Sequence, residues 1–292
     1  MIFRGLFCTI TAAVLWGTSG PVMRIADSLG VDILTLNLVR ALFPSLVLCF
    51  VAIWRRKNGV GFFNTKSVSP LLIPGAAGMV MSALGLNLAF LRLSIGLAMV
   101  LYYSAPLWVM AGSWIISGEK PSISQFAAFS LALAGIWVSA GGAQRAGTLD
   151  MVGVTGALVG ALGYALFVLN GKYGAGKTDP FGSFFLTYIF STVILAVMAV
   201  ATGRIAAIAD LGRSSWLVLI YLGFVTSLVP YGLLMLSLRW ISGNTASVAT
   251  MSEVPFSMMW ALIIASELPE PSAVTGGAVV LLAIAFLAGS KR

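Results

Sequence analysis

Residues 249–260 read ATMSEVPFSMMW, with Glu253 two positions ahead of Pro255 and apolar residues around both. The fold depends on what solvent that run meets. A bilayer-crossing helix needs about 20 mostly apolar residues, and 243–266 satisfies this with Glu253 as its one ionisable group. An ionisable side chain at the centre of such a helix costs about 2.5–3.5 kcal/mol on insertion scales, so it is expected to face a bundle interior or a water-filled cavity. Glu253 lies about ten residues into its run, roughly 15 Å deep at 1.5 Å per residue, near the midplane. Pro255 removes a backbone hydrogen bond and frees a carbonyl nearby. Acid and proline together predict a broken helix lining a polar cavity. Glu253 is read as a proton or cationic-substrate site and as a possible coupling group. The alternative is a protonated acid hydrogen-bonded to a neighbouring helix.

The rest of the chain supports lipid as the solvent. Of 292 residues, 59% are hydrophobic and 9% charged, and mean hydropathy is +1.01. Soluble domains carry about 25% charged residues. The net charge of +8 does not point to nucleic acid, because Lys and Arg stand scattered at the ends of apolar runs and form no patch. The chain has no histidine, and Cys8 and Cys49 sit inside apolar segments without metal-ligand spacing. No P-loop, metal-ligand spacing or Ser-His or Cys-His pair occurs, so no enzyme activity, cofactor or metal is expected. The first apolar run is read as a span rather than a leader, since Trp16-Gly-Thr-Ser-Gly-Pro21 is poor cleavage-site chemistry.

Ten runs are long and apolar enough to cross: 5–23, 33–54, 70–91, 95–117, 122–141, 150–171, 181–202, 214–238, 243–266 and 271–289. The predicted class is an all-α membrane protein. With the N-terminus inside, eleven Lys and Arg residues fall on the inner side, including Arg55, Arg56, Lys57, Lys66, Lys177, Lys291 and Arg292. Five fall outside: Arg24, Arg92, Arg145, Arg204 and Arg213. This predicts both termini on the cytoplasmic side.

The two halves match at an offset of about 148 positions. Arg92 and Gly96 pair with Arg239 and Gly243, Pro106 with Pro255, and Glu119 and Pro121 with Glu267 and Pro269. Trp16 and Arg24 pair with Tyr164 and Lys172, and Asp32 with Asp179. The order of these matches predicts a duplicated unit, 1–145 and 146–292, of five spans each. An odd number of spans inverts the second copy, a plan used by secondary transporters.

Three stretches also carry a family likeness: AAVLWGTSGPVMR (12–24), LVRALFP (38–44) and NLAFLRLSIGLAMVLYYSAPLWVMAGSWIISGEKP (87–121). They resemble the EamA-type members of the drug/metabolite transporter superfamily. The marks are Trp-Gly in the first span, an Arg in the second, and a Pro-broken fourth span closing on Gly118-Glu119-Lys120-Pro121, one residue tighter than the family's form. The resemblance covers nearly the whole chain. It implies that spans one, three, four, six, eight and nine enclose the cavity, that the second span is mostly peripheral, and that monomer and homodimer are both allowed. It leaves the substrate open among amino acids, riboflavin-like cofactors, nucleotide sugars and toxic cations.

On that basis Trp16, Tyr102, Tyr103, Tyr164 and Tyr231 are lining candidates, since they fall near mid-span and away from the interfaces where Trp and Tyr collect. Ser82, Asn87 and Asn170 are candidate polar contacts, and Glu253 is the candidate acid. Pro106 and Pro255 mark the expected helix breaks and gates. Arg40, the one intramembrane base, is expected either to pair with Asp32 or helix-end carbonyls, or to hold a substrate carboxylate. Gly153, Gly156, Gly160 and Gly163 predict close helix approach by the sixth span. The expected function is alternating-access export of a small amphipathic metabolite, amino acids foremost and aromatic ones included, across a bacterial inner membrane. The alternatives are import of a vitamin such as riboflavin, or a membrane scaffold or sensor that carries nothing. The expected partners are the lipid bilayer and a small-molecule substrate, with no nucleic acid.

Overall fold

The computed structural model describes residues 2–58, 69–93, 95–142, 150–174, 180–266 and 268–290. Asp179 and Glu267, the basic residues Lys66, Arg145, Lys177, Lys291 and Arg292, and the 145/146 boundary lie outside them. Helices account for every regular element among the described residues. They run α1 Ile2–Gly17, α2 Ser19–Ser28, α3 Ile33–Lys57, α4 Leu72–Arg92, α5 Ile95–Tyr102, α6 Ala105–Ser117 and α7 Ile123–Ser139. The second half continues α8 Met151–Leu169, α9 Pro180–Ala201, α10 Arg213–Gly223, α11 Val229–Ser237, α12 Gly243–Ala249, α13 Glu253–Ala265 and α14 Pro271–Gly289. Taken with their continuations across short breaks, nine described stretches are long and apolar enough to cross a bilayer. A tenth, α7, is apolar but only 17 residues long, about 25 Å at 1.5 Å per residue.

Polar residues stand where these helices need ends. Asp32 accepts from the backbone N–H of Leu34 (3.0 Å) and Thr35 (3.1 Å) and starts α3. Ser122 and Gln125 exchange bonds in a capping box that starts α7. Gly118, at φ 71°, closes α6 in the left-handed conformation that glycine adopts without cost. Asp150 caps α8 through the N–H groups of Val152 (2.8 Å) and Gly153 (3.2 Å), and Arg92 stands 3.5 Å from its other oxygen. Those backbone donors, with Arg92 behind them, hold the Asp150 carboxyl below the usual carboxylate range.

Packing inside lipid relies on close approach rather than on hydrophobic transfer. The largest interface is α4 against α8. A Cβ added to Gly78 would lie 2.5 Å from the Gly163 carbonyl oxygen, and one added to Gly85 would lie 2.5 Å from that of Gly156. The expected role of the sixth-span glycines is therefore seen directly. Gly135 of α7 and Gly276 of α14 make a second backbone-to-backbone contact. Spans four and nine are both interrupted. Tyr103 and Ser104 separate α5 from α6, and a 3₁₀ turn, Thr250–Ser252, separates α12 from α13. Pro106 and Pro255 follow these interruptions, inside the first turn of α6 and α13, where a missing N–H removes no intrahelical bond. The expected breaks near Pro106 and Pro255 are present, each in the turn just before its proline.

Candidate functional site

Among the described residues the bundle holds a large cavity of about 810 Å³. Its mouth is formed by the ends of α2 and α4 and the approach to α14, at Arg24, Asp27, Leu91 and Glu270. The opposite end, where α1 begins, is sealed by hydrogen bonds. Lys172 donates to the carbonyls of Leu238 (2.8 Å) and Ile241 (2.9 Å), just beyond α11. Tyr173 donates to Glu119 (2.9 Å), and Gln125 donates to Ser242 (3.2 Å) and Thr245 (3.0 Å).

Of the candidate residues, Trp16, Ser82, Asn87, Tyr102, Tyr103, Tyr164, Tyr231, Glu253 and Arg40 all line the cavity. Glu253 is in mid-span along the chain but is the first residue of α13, directly after the 3₁₀ turn. Its own N–H is taken by the Thr250 and Met251 carbonyls of that turn, and its carboxylate stands in the first turn of α13, where the positive dipole end favours it. Tyr103, in the interruption of span four, donates its hydroxyl to Glu253 Oε2 at 2.8 Å. This bond joins the two interruptions, beside the packing of α6 on α12. Tyr102 shares a 2.7 Å hydrogen bond with Ser82, and Tyr164 donates to Thr250 at 3.1 Å. Three tyrosine hydroxyls are thereby fixed on the wall of a space otherwise rich in apolar surface.

Deeper aromatic rings pack edge to face. Trp16 and Tyr231 have centroids 5.0 Å apart at 72°, and Phe167 and Tyr231 stand 5.2 Å apart at 85°. Tyr188, not anticipated from sequence, adds a third ring 6.1 Å from Tyr231 and lines the cavity. A side chain at Gly17 would strike the backbone at Ser257, so the Trp-Gly pair supplies a ring and also admits α13.

Arg40 lines the cavity, although the resemblance puts the second span mostly at the periphery. Of the two structural partners expected for it, Asp32 is occupied in capping α3, and a carbonyl at the junction of two helices is the one it takes. Arg40 Nε donates to Ser227 Oγ, and Nη2 donates to the Thr226 carbonyl at 2.9 Å. The cause lies in local sequence. Pro230 stands four residues after Thr226 and has no N–H to offer its carbonyl. The chain from Phe224 to Leu228 widens into a π-helical turn, and Arg40 occupies the acceptor so freed. A proline four residues beyond a small polar residue in an apolar run is the signal that could have found this site.

Asn170 also departs from expectation. It is absent from the cavity wall and fully buried, donating to Thr187 at 2.8 Å and packing against Gly75 and Gly174. It ties span six to α9. Pro106 and Pro255 shape the helices that line the cavity and do not line it themselves. Among the described residues, no group of three or more His, Cys, Asp or Glu side chains could hold a metal ion.

Comparison with known proteins agrees with this architecture. A family model described as the EamA-like transporter family matches residues 3–141 and again 151–289. A probable terminal-alkyne amino-acid exporter of Streptantibioticus cattleyicolor is 24% identical over 291 residues, covering 97% of this chain and 93% of that protein. The uncharacterized transporter YwfM of Bacillus subtilis is 22% identical over 287 residues, with the same coverage of 97% and 93%. One solved crystal structure superposes with a TM-score of 0.76 at 17% identity over 97% of both chains, which shows the shared fold.

Proposed function

Because the chain belongs to the EamA-like transporter family, and is a multi-pass membrane transporter rather than an enzyme, we propose that it exports small amphipathic metabolites, amino acids foremost, by alternating access across a bacterial inner membrane. The observation that carries this reading is the cavity, open at one end, sealed at the other, and holding an acid and a base between aromatic walls. An amphipathic solute needs both kinds of surface. The name of the Streptantibioticus relative favours amino acids among the candidate substrates.

The proposed frame is ten spans in two inverted five-span units, with both termini cytoplasmic. Two separate matches to one family model support it. So does the packing. Exchanging span one for six, two for seven, three for eight, four for nine and five for ten turns the α4–α8 interface into α11–α1 and returns α3–α9 and α7–α14 to themselves. Two copies related in this way can trade conformations, which moves the opening from one face to the other. With the N-terminus inside, the cavity described here opens outward. Glu253 then couples the flows by taking either a proton or a cationic substrate group.

Reconstituted vesicles of defined orientation test this reading. A labelled amino acid should exchange across the bilayer, and an outward-directed flux should depend on the proton gradient. Absence of flux for amino acids, vitamins and organic cations alike would remove the carrier and leave the scaffold.

A further inference from the structure

We propose that the cavity is a zwitterion site: the carboxylate of a free α-amino acid binds Arg40, and its ammonium group binds Glu253. This rests on the transporter reading and adds to it which two residues hold the substrate and which chemical class they accept. Five charged side chains line the cavity. Arg24, Asp27 and Glu270 are exposed at the mouth, whereas Arg40 and Glu253 are half-buried further in. Opposite charges in a low-dielectric space attract strongly, yet these two do not close into an ion pair. Neutral groups hold each one back: Ser227 and the Thr226 carbonyl on Arg40, and the Tyr103 hydroxyl on Glu253.

Capacity remains on both sides. A guanidinium has five N–H donors, and Arg40 commits one from Nε and one from Nη2 to protein, leaving Nη1. Glu253 receives Tyr103 on Oε2, leaving Oε1. Tyr231 lines the same cavity as both charges. A ligand bearing both charges satisfies both poles. A ligand bearing one charge leaves the other pole without a counter-charge, which a site of buried polar groups rejects. The side chain of the amino acid then has the aromatic walls at Trp16, Tyr102 and Tyr164 to meet.

The test measures thermal stabilisation of the purified full chain by L-phenylalanine, by phenethylamine, which lacks the carboxylate, and by 3-phenylpropionate, which lacks the ammonium. A ligand of the folded state raises the melting temperature according to its affinity. L-Phenylalanine should bind at least about tenfold more tightly than either analogue, about 1.4 kcal/mol. Arg40→Gln should erase the preference over phenethylamine and keep the preference over 3-phenylpropionate. Glu253→Gln should do the reverse. Arg40→Lys and Glu253→Asp, which retain the charges, should keep part of each preference and serve where the neutral variants do not fold. Equal binding of the three ligands, equal loss of all three in both variants, or no stabilisation by L-phenylalanine would overturn the proposal. Vesicle flux separates the two readings. Selective binding without flux defeats the transporter and leaves the site, while flux of phenethylamine without amino-acid binding defeats the site and leaves the transporter.

Discussion

In the proposed duplication, the two ends of the bundle are corresponding parts, and they can be compared residue by residue. At the sealed end Lys172 grips two carbonyls beyond α11, and Tyr173 grips Glu119. At the mouth, the position matched to Lys172 in the proposed duplication is Arg24, and α4 corresponds to α11. Arg24 and Leu91 of α4 both line the opening. In that duplication the scaffold carries matching basic residues at either end, and Lys172 ties the end where α1 begins. The middle of the molecule behaves differently. Both broken spans carry a proline, but only span nine carries an acid, with Ser104 in the matched place. On the proposed reading, duplication accounts for the gates and departures from it account for the chemistry.

The largest expected effect comes from removing the departure. Glu253→Gln should abolish the pH dependence of flux and lower coupled transport by about a hundredfold or more, a loss of at least ~2.7 kcal/mol at 1.4 kcal/mol per decade. The groups facing Glu253 are Tyr103 on the span-four break, Arg40 on α3, Tyr102 on α5, Tyr164 on α8 and Tyr231 on α11. A pH profile unchanged in the variant would remove the proton role and leave the two gates without a coupled middle.

Next comes the body that both ends share. Gly163→Val places a side chain where even a Cβ would lie 2.5 Å from the Gly78 carbonyl. Overpacking of this kind costs about 1–3 kcal/mol, so the melting temperature should fall. Gly20→Val, where an added Cβ meets nothing within 4 Å, should leave it unchanged. Equal behaviour of the two variants would mean that the α4–α8 contact does not hold the halves together.

A seal should respond more gently. Lys172→Met removes two charge-assisted bonds at the closed end. It should raise access to the cavity from that side by about tenfold, equivalent to ~1.4 kcal/mol in the opening equilibrium. Arg24→Met should leave that access unchanged and slow closure of the mouth. Identical effects from the two variants would break the correspondence between the ends.

The smallest effect belongs to Asp150, a cap near the mouth. Its folded-state carboxyl titrates below the ordinary carboxylate value. The stability it contributes is complete above the ordinary carboxylate pKa and is lost as pH falls through the lowered one. Asp150→Asn should therefore flatten the acid limb of a melting-temperature profile slightly and leave neutral stability nearly unchanged. A variant whose acid limb matches the parent's would show that this cap does not matter.

Much of the fold was legible because lipid leaves few options. Apolar runs marked the spans, while the caps at Asp32, Ser122 and Asp150 emerged only with the structure. The glycines of span six gave the α4–α8 contact, and the two prolines pointed to the interruptions in spans four and nine. The site was legible where a residue type is costly in lipid, as with Glu253, or misplaced there, as with the mid-span tyrosines. It was not legible where direction mattered. These helices are apolar on nearly every face, so periodicity does not say which side looks inward. Asn87 faces the cavity and Asn170 is locked between helices, although both are amides in apolar runs. Arg40 depended on a carbonyl freed by Pro230 about 190 positions away, a non-local consequence of a local rule. Tyr188 reads as one more aromatic in a span until the fold places it beside Tyr231.

Access to position 257 tests the two-state cavity most directly. Ser257 lines the cavity, whereas the nearby Ser252 is buried in the turn before Glu253. In a chain with Cys8 and Cys49 replaced by alanine, Ser257→Cys should react with a membrane-impermeant thiol reagent added at the mouth. Adding transported substrate together with the Lys172→Met change should make it reactive from the opposite side as well. A cysteine at 257 that resists the reagent from both sides under every condition would contradict a cavity that opens by turns to the two faces of the membrane.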